Sequence, residues 1–177
     1  MKLNHISIKV AAKDDAVSWA SMLLRLDEET CFTMFQPKER SSVISKYEDK
    51  IISCDANSKS IILFATDNTL VINNIVGYLC TDTHKTRRKG HVTTMGIGIL
   101  KAYHSQGIGS QLLNELLKHA SNKQIKRIEA HVVDGNSRSI NLLKKFGFVT
   151  EGIKQKSIYL EHEYRDEYLM ALILDPG

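Results

Sequence analysis

Between Gly96 and Leu117 the chain sets a strand-like run against a glycine-rich turn and then a helix-like run, and its residue types there point to chemistry. The turn is His104-Ser105-Gln106-Gly107-Ile108-Gly109. A turn between a strand and a helix can aim several main-chain N–H groups at one point, beside the positive end of the helix dipole. Gly107 and Gly109 leave room for a bulky anion to reach that backbone. The ligand these features suit is a phosphate or diphosphate, although a plain tight turn accounts for the two glycines equally well. Nucleotide motifs fit poorly. The dinucleotide fingerprint needs a third glycine where Leu112 stands, and a Walker loop needs Gly-Lys-Ser/Thr. No His/Cys/Asp cluster has metal-ligand spacing, so no metal is expected.

Gly96 and Gly98 lie inside the strand-like run His91 to Leu100. Glycine within a strand often marks a bulge or a close approach by another backbone or a ligand. A bulge here would splay this strand from the next one, Arg127 to Val133, and the gap would accept an extended, amide-bearing ligand along the strand edge. A diphosphate at the turn joined to an extended arm along the strand is the shape of coenzyme A.

The surrounding elements follow from periodicity. Ile6 to Val10 alternates as a half-buried strand. Asp14 to Leu26 carries Val17, Met22, Leu23 and Leu26 at helical spacing, and Pro37 is placed to open a second helix through Val43, Ile44 and Tyr47. Ile61 to Phe64 and Thr69 to Cys80 read as strands. Ile108, Leu112, Leu116 and Ala120 recur every fourth residue, which predicts a strong helix. Ser137 to Phe146 reads as a further amphipathic helix ended by Gly147, and Phe148–Gly152 and Glu167–Leu174 as two last strands joined by a polar connection. The order is that of an α/β domain built on one twisted sheet with helices on its faces.

The 177 residues suit a single domain over 1–177 that needs no disulfide or metal staple. With 42% hydrophobic and 25% charged residues, the composition excludes disordered and fibrous classes. No run approaches the roughly 18–20 apolar residues of a bilayer span, and the first ten residues do not read as a signal peptide. Three cysteines without paired spacing suggest free thiols in a reducing, cytoplasmic setting. A net charge of +4 with interspersed signs argues for neither nucleic acid nor membrane partners. The basic stretch Lys85, Arg87, Arg88, Lys89 reads as a solvated loop, and the apolar last strand leaves a homodimer open.

Gly98 to Leu113 resembles motif A of the GNAT superfamily of N-acetyltransferases, whose pattern is Arg/Gln-x-x-Gly-x-Gly/Ala opening a helix. Asn136 to Phe148 resembles motif B, Asn-x-x-Ala-x-x-Leu-Tyr-x-Lys-x-Gly-Phe, and the two occur in family order. The resemblance implies a GNAT-like fold: one mixed, mostly antiparallel twisted sheet splayed at a central bulged strand, with helices on both faces. It implies acetyl-CoA as co-substrate. The backbone from Gln106 through Gly107, Ile108 and Gly109 to Ser110 would hold the diphosphate, with His104 where the motif has Arg or Gln. Ile99 and Leu100 would lie along the pantetheine arm, with Asn136, Ser139 and Lys145 on its other side. The motif B tyrosine, often the acid that protonates the leaving thiolate, is replaced by Leu143, which has no proton to give.

The implied reaction is acetyl transfer to a primary amine of a small molecule. A protein N-terminus or lysine as acceptor, or a catalytically silent CoA sensor, are the alternatives. An amine with a lysine-like pKa near 10.4 costs roughly 4–5 kcal/mol to deprotonate at neutral pH, so a base or a water chain to one is required. Glu129 and His131 share parity on one strand, and Glu129 is the expected base. Tyr159 is the expected donor, with Glu161 and Tyr164 near it in the tail. Trp19 and the apolar loop residues Phe32, Met34 and Phe35 would pack in the core or wall the acceptor pocket.

Overall fold

The computed structural model describes residues 5–174. The chain runs β1 (Ile6–Val10), α1 (Ala16–Glu29), α2 (Ile44–Ala56), β2 (Ile62–Asp67), β3 (Ile75–Thr83), β4 (Val92–Ile99), α3 (Ile108–Asn122), β5 (Arg127–Val133), α4 (Ser137–Lys145), β6 (Val149–Leu160) and β7 (Glu163–Ile173). Seven strands form one sheet in the order β1-β2-β3-β4-β5-β7-β6. Only β4 and β5 are parallel, with α3 as their crossover; every other neighbouring pair is antiparallel.

Alternating side chains send each central strand into two cores. Leu63, Ala65, Val76, Leu79 and Met95 pack with Ile108, Leu112, Leu116 and Ala120 of α3, Leu143 of α4, and Ile128, Ala130 and Val132 of β5. Ile62, Phe64 and Ile75 face the other way, against Trp19, Leu23 and Leu26 of α1 and Tyr47 and Ile51 of α2. The helices therefore cover both faces, as expected. Trp19 is a core residue, stacked among Tyr47, Phe64 and Tyr78.

Several expected boundaries move. Pro37 does not open a helix. It sits in the irregular connection 30–43, and α2 begins at Ile44 after an extended Val43. What shapes that connection is tertiary: Arg40 donates to both carboxylate oxygens of buried Asp27 (2.5 and 2.8 Å) and lies over the Phe35 ring. Residues 69–74 are a turn rather than strand, because Asp67 accepts hydrogen bonds from the Thr69 N–H and hydroxyl. The last two strands are longer than the sequence suggests. They form a hairpin turning at Glu161 and His162, both with positive φ (50° and 69°). The basic residues 85–89 lie in the exposed β3–β4 connection.

Candidate active site

Central strands β4 and β5 pair only over Val92–Met95 and Arg127–Ala130. Beyond Met95, β4 stays with β3 as far as the Gly77↔Ile99 pair, while β5 stays with β7 as far as Val133↔Glu167. The sheet is thus parted between Gly96–Ile99 and His131–Val133. The expected bulge is absent from the β3–β4 ladder, whose register runs from Gly77↔Ile99 to Thr83↔Thr93 without a shift. Gly98 serves packing instead, while a Cβ on Gly96 would make only an ordinary 3.6 Å contact with Cys80 Sγ. A Cβ on Gly98 would come within 2.5 Å of Leu26 Cδ2 and 2.7 Å of Tyr78 Cε1.

Peptide orientation fixes which groups face the gap. The Leu100 N–H donates to the Val76 carbonyl, so by antiparallel alternation Gly98 and Gly96 bond to β3, and Ile97 and Ile99 turn their peptide groups toward β5. On the other wall, Asp134 N–H to Asp166 O and Leu174 N–H to Lys126 O assign the even-numbered residues of β5 to β7. His131 and Val133 are left facing β4. The Ile99 and Val133 carbonyls are taken by His104 and the Asn136 N–H, and the Ile97 peptide groups and the Ile99 N–H remain to serve an amide-bearing arm.

At its mouth the chain turns through a short 3-10 segment, Lys101–Tyr103, into α3. Two contacts hold that segment. The Lys101 N–H donates to Glu29 at the end of α1 (2.6 Å), and the Tyr103 hydroxyl donates to Asp67 (2.9 Å). Ser105 and Gly107 then adopt positive φ (60° and 81°). The N–H groups of Gln106, Gly107, Ile108, Gly109 and Ser110 find no acceptor among the described residues, and nothing lies within 4 Å of a Cβ built on Gly107. This is an open nest of five donors at a helix N-terminus, which suits a diphosphate. Gly109 has another role: a Cβ there would meet Leu142 Cδ2 at 2.7 Å, so it lets α4 pack close to α3.

His104 is held from both sides. Its Nδ1 lies 2.6 Å from Arg138 Nη1, and its Nε2 lies 2.8 Å from the Ile99 carbonyl. A guanidinium only donates, so Nδ1 accepts and Nε2–H donates to Ile99. An exposed guanidinium on α4 is thereby tied to the motif A turn, a pairing the sequence reading missed. Its one signal was a histidine where the motif has arginine.

Ile99 lines the gap, but Leu100 is fully buried in the α1–α2 core with its N–H already used, so it is withdrawn from the arm. Asn136 caps α4, accepting from the Ser139 N–H (3.3 Å), which leaves its amide nitrogen free to donate. Lys145 is exposed at the end of α4. Leu143 is core, 1% exposed. Glu129 lies opposite Thr94 in the paired section, and its carboxylate accepts from Arg127 Nε (2.6 Å). Arg127 also bonds Glu151, whose carboxyl it holds below the usual carboxylate range. Tyr159 stacks on Tyr164 near the exposed tip of the β6–β7 hairpin, which continues past the end of β5.

On the α1–α2 face a cleft of about 620 Å³ opens beside Thr94 and Gly96, lined also by Lys50, Cys80, Asp82 and Lys85. In the 30–43 connection, the Phe32 ring rests 3.8 Å from where a Cβ on Gly135, in the turn after β5, would lie. A smaller cleft of about 340 Å³ lies by His119 and Lys123, at the far end of α3 from the nest.

A parted pair of central parallel strands, with a donor nest at the following helix, is an architecture that can hold a diphosphate joined to an extended arm. The chain belongs to the acetyltransferase (GNAT) family, whose sequence profile matches residues 22–148. It is 33% identical over 101 residues to the L-amino acid N-acetyltransferase AaaT of Escherichia coli, a match covering 56% of this chain and 62% of that enzyme. Its fold matches a GNAT-family acetyltransferase from Streptococcus pneumoniae with a TM-score of 0.88 and 26% identity, over 96% of this chain and 99% of that one. It also matches the acetyltransferase yncA from Salmonella typhimurium, solved with its cofactor acetyl-CoA, with a TM-score of 0.84 and 17% identity, over 97% and 95% of the two chains. The free amides at Gln106–Ser110 fit a diphosphate such as that of the acetyl-CoA bound to yncA.

Proposed function

We propose that this protein transfers the acetyl group of acetyl-CoA to the primary amine of a small molecule. The observation that carries the reading is the conjunction of the five-donor nest with the parted section of β4 and β5. Bound there, acetyl-CoA supplies an activated acyl group. The chain's part is to hold, orient and move protons. The nest takes the diphosphate, Ile97 and Ile99 on one wall and His131 and Val133 on the other take the arm, and Asn136 donates its amide from above α4. Arg138, fixed through His104, adds positive charge at the mouth. The Ile97 N–H is a donor placed for the oxyanion that develops at the acyl carbon. Glu129 is the proposed base for the amine proton, acting through water from the face where the 620 Å³ cleft opens.

Two features favour a small acceptor over a peptide. The 620 Å³ cleft sets cationic Lys50 and Lys85 beside anionic Asp82, which suits a zwitterion such as an amino acid, and the relative AaaT is named for L-amino acids. Thiol release from acetyl-CoA across a panel of amines tests the reading. Turnover of small amines, amino acids foremost, and not of peptide N-termini or lysyl peptides supports it. Tight acetyl-CoA binding with no turnover of any amine would make the protein a sensor, and peptide turnover alone would make it a protein acetyltransferase.

A further inference from the structure

Loss of the motif B tyrosine leaves the departing thiolate without its usual proton source, and the chain's six tyrosines are the natural replacements. Three are engaged: Tyr47 donates to the Ser41 carbonyl (2.5 Å), Tyr103 to Asp67 (2.9 Å) and Tyr168 to Asp134 (3.2 Å). Tyr159 and Tyr164 are 56% and 65% exposed at the hairpin, stacked on each other. Tyr78 differs from all five. It lies on β3 directly opposite Gly98, and its ring crosses that glycine, Cε1 standing 2.7 Å from where a Cβ would be. A tyrosine reaches further than the about 4.8 Å between neighbouring strands. From β3 the ring therefore spans β4 toward its parted edge on the α1–α2 face, the face opposite the Ile97 and Ile99 side chains.

The Tyr78 hydroxyl makes no hydrogen bond among the described residues, yet the fully buried polar side-chain atoms without a partner there are Trp19 Nε1 and Arg165 Nε alone. Its oxygen therefore opens onto accessible space. Burial among Trp19, Leu26 and Gly98 also pushes the phenol well above the ordinary tyrosine range, which keeps it protonated at every working pH.

We propose that Tyr78 is the proton donor to the leaving thiolate, in place of the motif B tyrosine. The inference rests on the acetyltransferase reading above. As the amine nitrogen bonds to the acyl carbon and the carbon–sulfur bond breaks, the sulfur takes the Tyr78 hydroxyl proton. Glu129 takes the first proton, that of the acceptor's ammonium form, before attack; the phenolate recovers the second, shed by the acylated nitrogen through water, so that neutral amine and thioester become amide and free thiol with nothing left over. Glycine at 98 is what lets the ring lie across β4.

Tyr78→Phe keeps the ring and removes the proton. The expected result is a kcat lower by about 10²-fold, with the Kd for acetyl-CoA within about twofold of wild type. A second measurement reads the contact without turnover. With 3-fluorotyrosine at position 78, the ¹⁹F resonance moves on adding CoA and does not move on adding a CoA analogue in which hydrogen replaces the thiol. The same residue, a stronger acid of nearly the same shape, brings a falling alkaline limb of kcat into reach. Unchanged kcat in Tyr78→Phe, or a ¹⁹F signal indifferent to the thiol, overturns the proposal. If the wild-type protein itself binds no acetyl-CoA, the acetyltransferase reading fails first, and that outcome is distinct from either of these.

Discussion

Gly98 and Gly107 stand nine positions apart and lack a side chain for opposite reasons. At Gly98 the space is full: Leu26 and the Tyr78 ring occupy the volume a Cβ would need. At Gly107 the space is empty, and the backbone conformation, φ 81°, is the demand. One glycine belongs to the packing of α1 on the sheet and the other to the left-handed turn that opens the proposed nest. Glycine content alone does not separate the two. Which atoms approach each one does.

The comparison breaks most sharply at Gly98. Gly98→Val forces branched carbons into Leu26 and Tyr78 and is expected to cost about 1–3 kcal/mol of stability or more, read as a lower denaturation midpoint. Gly107→Ala is expected to do the reverse in kind. Stability falls by about 1 kcal/mol from the left-handed backbone, while acetyl-CoA affinity falls about tenfold or more by calorimetry, because the methyl projects into the nest. If Gly107→Ala lost stability but kept its affinity, the nest would be only a turn.

Smaller effects sharpen the same contrast. Arg138→Ala removes the guanidinium that His104 holds, and acetyl-CoA affinity is expected to drop about fivefold, by more at low salt than at high salt, with the fold unchanged. Asp67 reports on the turn that carries the nest. Hydrogen bonds from Thr69 and then Tyr103 hold its carboxyl below the ordinary range. A group depressed in the folded state adds stability that is present above its unfolded value and lost as pH falls through the folded one. Acid unfolding of the wild type should therefore be steeper below the ordinary aspartate range near 3.8 than that of Asp67→Asn, as followed by circular dichroism. Least of all, burial raises the Cys54 thiol to about 11, so a thiol reagent at neutral pH should label exposed Cys31 quickly and Cys54 only on unfolding.

Much of this was legible in the residues themselves. Arg127–Val133 and the α3 repeat of Ile108, Leu112, Leu116 and Ala120 carry unambiguous periods, and the glycine turn between β4 and α3 is plain in the residues, although only Gly107 of its two glycines opens the nest. Other features depend on partners distant in sequence. Pro37 looked like a helix opener because the Arg40–Asp27 pair that shapes the connection is a tertiary contact. Strand β6 hid its length because an edge strand exposed on most of its residues shows no apolar alternation. The strand glycines implied a close approach correctly and a bulge incorrectly, since nothing local reveals that the approaching group is Leu26. His104 stands where the motif has Arg or Gln, and its tie to Arg138 joins two motifs that meet only in space.

The account rests on main-chain groups gripping acetyl-CoA, and amide hydrogen exchange with and without it reads those groups directly. Protection is expected to rise on binding at Gln106–Ser110 and at Ile97, with the paired stretch Thr93–Met95 unchanged. Binding that leaves the amides of Gln106–Ser110 exchanging as before would contradict it.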